Sequence, residues 1–172
     1  SKEAFDEEAW AGIHALVLEA ADNFDAFRNT EGASLEADFK GRLNEIERLE
    51  SSLDPLLESR ITRVRDRIRT NLEETMDRAA LDEGRFEQEV LYYIEKMDVS
   101  EERTRLKAHI KYFQEIMETG VGQGKKLGFV TQEMGREINT LGSKANDADL
   151  QRIVVQMKDE LEKIKEQVLN VL

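Results

Sequence analysis

Apolar residues recur at intervals of three and four along almost the whole of this chain, and only one proline interrupts them. Residues three and four apart share one face of a helix, so this period marks amphipathic α-helices. No stretch shows the strict apolar–polar alternation of a half-buried strand. The expected fold class is all-α: six or seven long amphipathic helices in an elongated bundle, ending in a coiled-coil-like C-terminal helix.

The stripes can be placed in order. Trp10, Ile13, His14, Val17, Ala20, Ala21, Phe24 and Phe27 form the first, over residues 4–29. Leu35, Phe39, Leu43, Ile46, Leu49 and Leu53 form a second after Gly32. Asp54-Pro55 reads as an N-cap followed by proline at the first helical position, where its missing N–H costs nothing. Leu57, Ile61, Val64, Ile68 and Leu72 follow, then, beyond Gly84, Phe86, Val90, Leu91, Ile94 and Met97. Asp98-Val-Ser-Glu101 has the form of a capping box and leads into Leu106, Ile110, Phe113 and Met117. A glycine-rich loop, 118–124, precedes a helix from about Lys125 to Leu141 and a turn over 142–147. Leu150, Ile153, Val154, Met157, Leu161, Ile164, Val168 and Val171 then make a heptad-like seam, which needs a partner within the chain or from another subunit. We expect a long helical arm or oligomerisation region over residues 1–80 and a second helical domain over 81–172.

Composition removes whole classes of function. The 172 residues include no cysteine and two histidines. Disulfides, thiol nucleophiles and Cys-ligated metal sites are excluded, as are the paired Glu-x-x-His ligands of a di-iron bundle. No apolar run approaches the roughly 18 residues of a membrane span, and the acidic start resembles neither a secretory signal nor a transit peptide. The expectation is a cytoplasmic protein with no membrane partner. The net charge of −12 speaks against nucleic acid until it is mapped: residues 1–58 carry −10, 59–78 carry +2, 79–120 carry −4, and 121–172 are neutral. Arg60, Arg63, Arg65, Arg67 and Arg69 make a local basic run.

The densest polar patterning lies in residues 125–149. Glu133 and Glu137 stand four apart on one helix face, a like-charge spacing that costs about 0.2–0.5 kcal/mol. Either a basic neighbour, with Arg136 and Lys144 at hand, or a hard divalent cation compensates them. His109 adjoins the stripe of its helix, where a lone histidine serves as a hydrogen-bonded core residue or a ligand, and His14 sits within an apolar stripe. Glu87 and Glu89, two apart, point to different sides. Lys125, Lys126, Arg136, Lys144 and Arg152, with Gly122 and Gly124 permitting close backbone approach, could hold phosphate at a helix N-terminus. The loop lacks the Gly-Lys-Ser/Thr ending of a P-loop, which disfavours nucleotide hydrolysis.

The stretch Gly124-Lys-Lys-Leu-Gly-Phe-Val-Thr-Gln-Glu-Met-Gly-Arg-Glu-Ile-Asn-Thr-Leu-Gly-Ser-Lys144 resembles the signature of the bacterial YicC/YloC family, G-[RK]-[RK]-L-D-F-x-x-Q-E-x-N-R-E-x-N-T-x-x-S-K, with Asp149 matching a following Asp. Three other segments agree in order. Arg28-Asn-Thr-Glu-Gly32 is similar to R-x-x-E-G, Arg85-Phe-Glu-Gln-Glu-Val90 to R-x-x-Q-E-[LV], and Met97 to His109 to I-D-[IV]-x-E-E-x-x-R-L-x-x-H. Gly128 and Gly135 depart from the pattern, standing where the family has Asp and Asn, so position 128 offers no carboxylate to a metal.

The resemblance implies a metal-dependent endoribonuclease of stress responses, assembled as a homo-oligomer, with a hexamer in particular. It also implies an N-terminal domain that this sequence lacks, so the chain is expected to be the C-terminal part of a longer protein. Carried over position by position, Glu133, Glu137, His109 and Arg136 are the catalytic candidates. Lys126, Arg136, Asn139, Ser143 and Lys144 are the RNA-binding ones. Glu133, Glu137 and Glu89 would hold manganese or magnesium, with Glu102 beside Glu89 and His109 as further candidates. Single-stranded RNA is the expected substrate. The rival expectation is a non-catalytic oligomerisation or RNA-clamp module. A purely structural scaffold would leave the polar density of 132–149 without a purpose.

Overall fold

The computed structural model describes residues 7–75, 83–120, 122–145 and 147–171. These form six helices: α1 (Glu7–Ser51), α2 (Asp54–Thr75), α3 (Glu83–Met97), α4 (Ser100–Glu118), α5 (Gly124–Lys144) and α6 (Ala148–Val168). No described residue is in a strand, and the all-α expectation is met. Among the described residues, no helix is long and apolar enough to cross a membrane. By its internal contacts the chain divides after Phe39, into Ser1–Phe39 and Lys40–Leu172.

Within the second unit, α4 packs on α5, α5 on α6, and α2 on α3. Residues of the stripes fill the core, where Leu43, Ile46, Leu53, Leu106, Ile110, Phe113, Leu150 and Met157 are fully buried, joined by Met134, Ile138 and Leu141 of α5. Val64 and Ile68 of α2 meet Phe86 and Val90 of α3 in a smaller cluster, flanked by Leu72, Tyr93, Ile94 and Met97. The heptad seam of α6 is buried at Leu150, Val154, Met157, Leu161, Ile164 and Val168, and α5 supplies its partner within the chain. Gly142 lets that pair approach closely: a Cβ there would lie 2.9 Å from Cγ1 of Val154.

Three local features differ from the sequence reading. Gly32 does not interrupt α1, because one mid-helix glycine costs only about 1 kcal/mol against alanine, too little to break a 45-residue helix. Asp54 lies inside the first turn of α2 rather than capping it; the Leu57 N–H donates to the Leu53 carbonyl, and the Asp54 carboxylate turns to Arg103 at 2.7 Å. The capping box at 98–101 is replaced by a tighter arrangement. Asp98 accepts the Ser100 N–H and hydroxyl, which hold its carboxyl below the ordinary value, while Glu101 pairs with Arg105 at 3.1 Å. Asp147, by contrast, is a full N-cap of α6, accepting the N–H groups of Asp149 and Leu150.

Candidate functional site

Two helical stripes face each other where α4 packs on α5. On α4, Glu102, Arg105 and His109 follow at intervals of three and four; on α5, Glu133, Glu137 and Lys144 share a face by intervals of four and seven. Arg105 is the centre of the contact. Its Nε donates to Glu137 at 2.9 Å across the helix pair, its Nη1 to Glu101 at 3.1 Å, and its Nη2 to Glu102 at 3.4 Å. Lys144 completes the group, placing Nζ 2.9 Å from the same Glu102 oxygen that Arg105 reaches.

Glu102 is 4% exposed and Glu137 9%, whereas the side chains of Arg105 and Lys144 are 46% and 34% exposed. Glu102 and Glu137 are thus held inside, and the cations they orient face outward, as does the third acid, Glu101. Burial pushes the Glu102 carboxyl up, but the Lys144 hydrogen bond, the helix backbone and the charges of Lys144 and Arg105 outweigh it and keep the group below its ordinary value. The Glu137 hydrogen bond, then that of Glu101, raises the Arg105 guanidinium above its ordinary value, so it stays a charged donor. Oε2 of Glu102 is buried without a hydrogen-bond partner.

A second layer supports Lys144. Arg60 of α2, only 4% exposed, donates through Nη2 to the Lys144 carbonyl at 2.8 Å. A guanidinium at the last turn of α5 satisfies an end carbonyl and suits the negative end of the helix dipole. Its Nη1 has no hydrogen-bond partner. Arg63 pairs with Asp147 at 2.9 Å, immediately beyond the same helix end.

The remaining sequence candidates are spread more widely. Glu133 is held by Arg136 at 3.0 Å, the basic-neighbour alternative for that carboxylate, and Glu137 by Arg105. His109 is half-buried one turn beyond Arg105. Asn139 and Ser143 are exposed on another face of α5, and the Ser143 hydroxyl donates to the Thr140 carbonyl. Lys126 is exposed near the start of α5, about 16 Å along the axis from Glu137. Glu89 is exposed on α3, which packs on α2. Among the described residues no three His, Asp or Glu side chains are grouped to hold a metal ion. Glu133 and Glu137 are each engaged by a guanidinium, Arg136 and Arg105 respectively. The room at Gly124 is taken by the chain itself: a Cβ there would stand 2.6 Å from the Val171 carbonyl oxygen, so the glycine serves packing rather than phosphate.

Sequence reasoning passed over Arg105 and Arg60. Arg105 stood in the x-x-Arg-Leu-x-x-His element at an interval of three from Glu102, a spacing that pairs charges on a helix. Arg60 carried no such local signal, because its partner is a backbone carbonyl 84 residues away.

Residues 53–172, which hold both stripes, match the endoribonuclease YicC-like C-terminal family. The chain belongs to the YicC-like family. A probable endoribonuclease YicC of Clostridioides difficile is 33% identical over 178 residues, covering 99% of this chain and 58% of that protein. A probable endoribonuclease YicC of Haemophilus influenzae is 34% identical over 152 residues, covering 86% of this chain and 51% of that one. The chain therefore spans just over half the length of these curated YicC relatives. Glu102, Arg105, Glu137 and Lys144 all fall within the YicC-like segment.

Proposed function

We propose that this chain carries the RNA-cleaving site of an endoribonuclease acting on single-stranded RNA. The observation that carries the reading is the outward-facing pair Arg105 and Lys144, oriented from beneath by the buried carboxylates of Glu102 and Glu137. Two fixed cationic donors beside one another suit a phosphodiester, whose negative charge grows during cleavage. Glu102 and Glu137 act as positioning residues through those cations. His109, on the same stripe of α4, is the general acid or base that moves the proton between the attacking or leaving oxygen and solvent. Glu133 with Arg136 flanks the group one turn away on α5, and Lys126, Asn139 and Ser143 extend the RNA contact along that helix.

The test is cleavage of an end-labelled single-stranded RNA by the chain and its variants. Arg105→Gln should lower the rate by roughly 10²-fold, the scale of losing a donor to developing charge. His109→Ala should lower it by about 10² or more, on the scale of general acid–base catalysis. Wild-type rates in both variants would remove this site from the reaction, and RNA binding without turnover would favour the clamp reading instead. Dependence on manganese or magnesium belongs to the same proposal and is read by titrating each ion against chelator. Magnesium is commonly bound through one or two carboxylates plus substrate phosphates and water, and does not require a cage of protein ligands. Assembly as a homo-oligomer, a hexamer on the family resemblance, and a cytoplasmic role in stress responses complete the reading.

A further inference from the structure

The site accounts for only part of the arginine run on α2, through the bond from Arg60 to the Lys144 carbonyl. Arg60, Arg63 and Arg67 lie at intervals of three and four and so share one face of that helix, while Val64 and Ile68 turn inward beside them. Arg65 and Arg69 are otherwise committed: both guanidinium groups sit over the Phe86 ring, and Arg65 also pairs with Glu87.

The Arg60 face has more cation than anion to meet it. Arg60 is 4% exposed, and its Nη1 donor has no partner, although a buried guanidinium without its full set of acceptors is costly. Burial lowers the basicity of Arg60, and Arg63 is close enough to act on it as a like charge. Asp147, which among the described residues is the carboxylate paired with this face, is also engaged by two backbone N–H groups as the cap of α6. Arg67, one turn further on, is exposed and has no partner among the described residues. This surplus stands in a chain of net charge −12, where acids are plentiful. The face is also continuous with the proposed site, because Arg60 donates to the carbonyl of Lys144, whose ammonium belongs to it.

We propose that the Arg63–Arg67 face of α2, with Arg60 and Lys144 at its base, is the track along which the RNA backbone enters the site. This rests on the RNA-cleaving reading above and adds to it where the strand lies. Arg63 and Arg67 contact phosphates and carry no base specificity, so they set affinity and register rather than sequence preference. Asp147 competes with phosphate for Arg63.

The experiment measures binding of a fluorescently labelled single-stranded RNA to the whole chain across a salt series. Each phosphate contact on a single strand contributes about 0.7 to the slope of log K against log salt. The double variant Arg63→Gln/Arg67→Gln should flatten the slope by about 1.4 and weaken binding roughly 25-fold at about 0.1 M salt. Lys158→Gln/Lys163→Gln removes the same charge from α6 and should leave the slope within experimental error of wild type. Asp147→Asn keeps an N-capping side chain but frees Arg63, and should tighten binding by about two- to fivefold at low salt. Wild-type slope and affinity in the Arg63/Arg67 variant, with the wild-type chain still binding RNA, would overturn the track and leave the cleavage reading standing. A wild-type chain that binds no RNA would overturn both. Equal capture of polyglutamate and RNA, lost together in the variant, would overturn the track in favour of an acidic protein partner.

Discussion

Glu102 shows how a single buried carboxylate ties the site to the stability of the fold. Its ordinary value is 4.5 and its folded value is lower. The unfolded chain therefore binds the proton more readily, and stability rises with pH across the interval between the two values. The contribution is fully present above pH 4.5 and is lost as the pH falls through the lower, folded value. Glu102→Gln should cost about 1–3 kcal/mol at neutral pH, by leaving Lys144 and Arg105 without their shared anion. The cost should shrink as the pH falls through the folded value, where the wild-type carboxyl takes up its proton as well. Urea denaturation over a pH series running down from neutral checks this, and a loss that stays constant across the series would contradict the assignment. Family resemblance alone brought Glu102 forward from the sequence, because its partner Lys144 is 42 residues away and local spacing cannot express that contact. Arg105–Glu137, 32 residues apart, was hidden for the same reason. The i, i+3 pair Glu133–Arg136, which local spacing does express, was legible.

Among the helices, the same substitution has opposite signs according to what surrounds it. Gly41 in α1 has open space where a Cβ would stand, with nothing within 4 Å, so Gly41→Ala should stabilise by roughly 0.5–1 kcal/mol through the entropy lost by the unfolded chain. Gly142 in α5 would drive a Cβ to 2.9 Å from Val154, whose branched side chain has one preferred rotamer in a helix and cannot swing aside. Gly142→Ala should therefore destabilise by about 1–3 kcal/mol as the α5–α6 contact opens. Thermal melts of the two variants moving in the same direction would refute this account of the contact. The helices themselves were legible, because the three-and-four spacing selects the buried apolar residues of α6 and most of those of α4, where it took Met117 and the structure buries Ile116. Their ends were less so: a cap is decided by one or two hydrogen bonds, and at Asp54 an ion pair with Arg103 took the carboxylate that the cap would have used.

For the molecule as a whole, the seam that sequence reading left open between an internal and an external partner has an internal one, whereas the first stripe does not show the burial of a core. Trp10, Ile13, Val17, Phe24 and Phe27 of the Ser1–Phe39 unit are each more than half exposed. With Ala20 they run 10, 13, 17, 20, 24, 27, the alternating three and four of a coiled-coil seam, a spacing that suits a second copy of the same helix. Charge works against that pairing, since residues 1–58 carry −10. Two such helices side by side repel, and salt screens the repulsion without weakening apolar burial. Self-association of the chain should therefore strengthen as salt rises, opposite in sign to RNA binding, which salt weakens by restoring counterions to the phosphates. Sedimentation at micromolar concentration over a salt series reads this directly, and Phe24→Ser/Phe27→Ser should shift the chain toward monomer at every salt. A wild-type chain that stays monomeric throughout, or one whose association falls with salt, would show that this stripe is not the self-pairing surface.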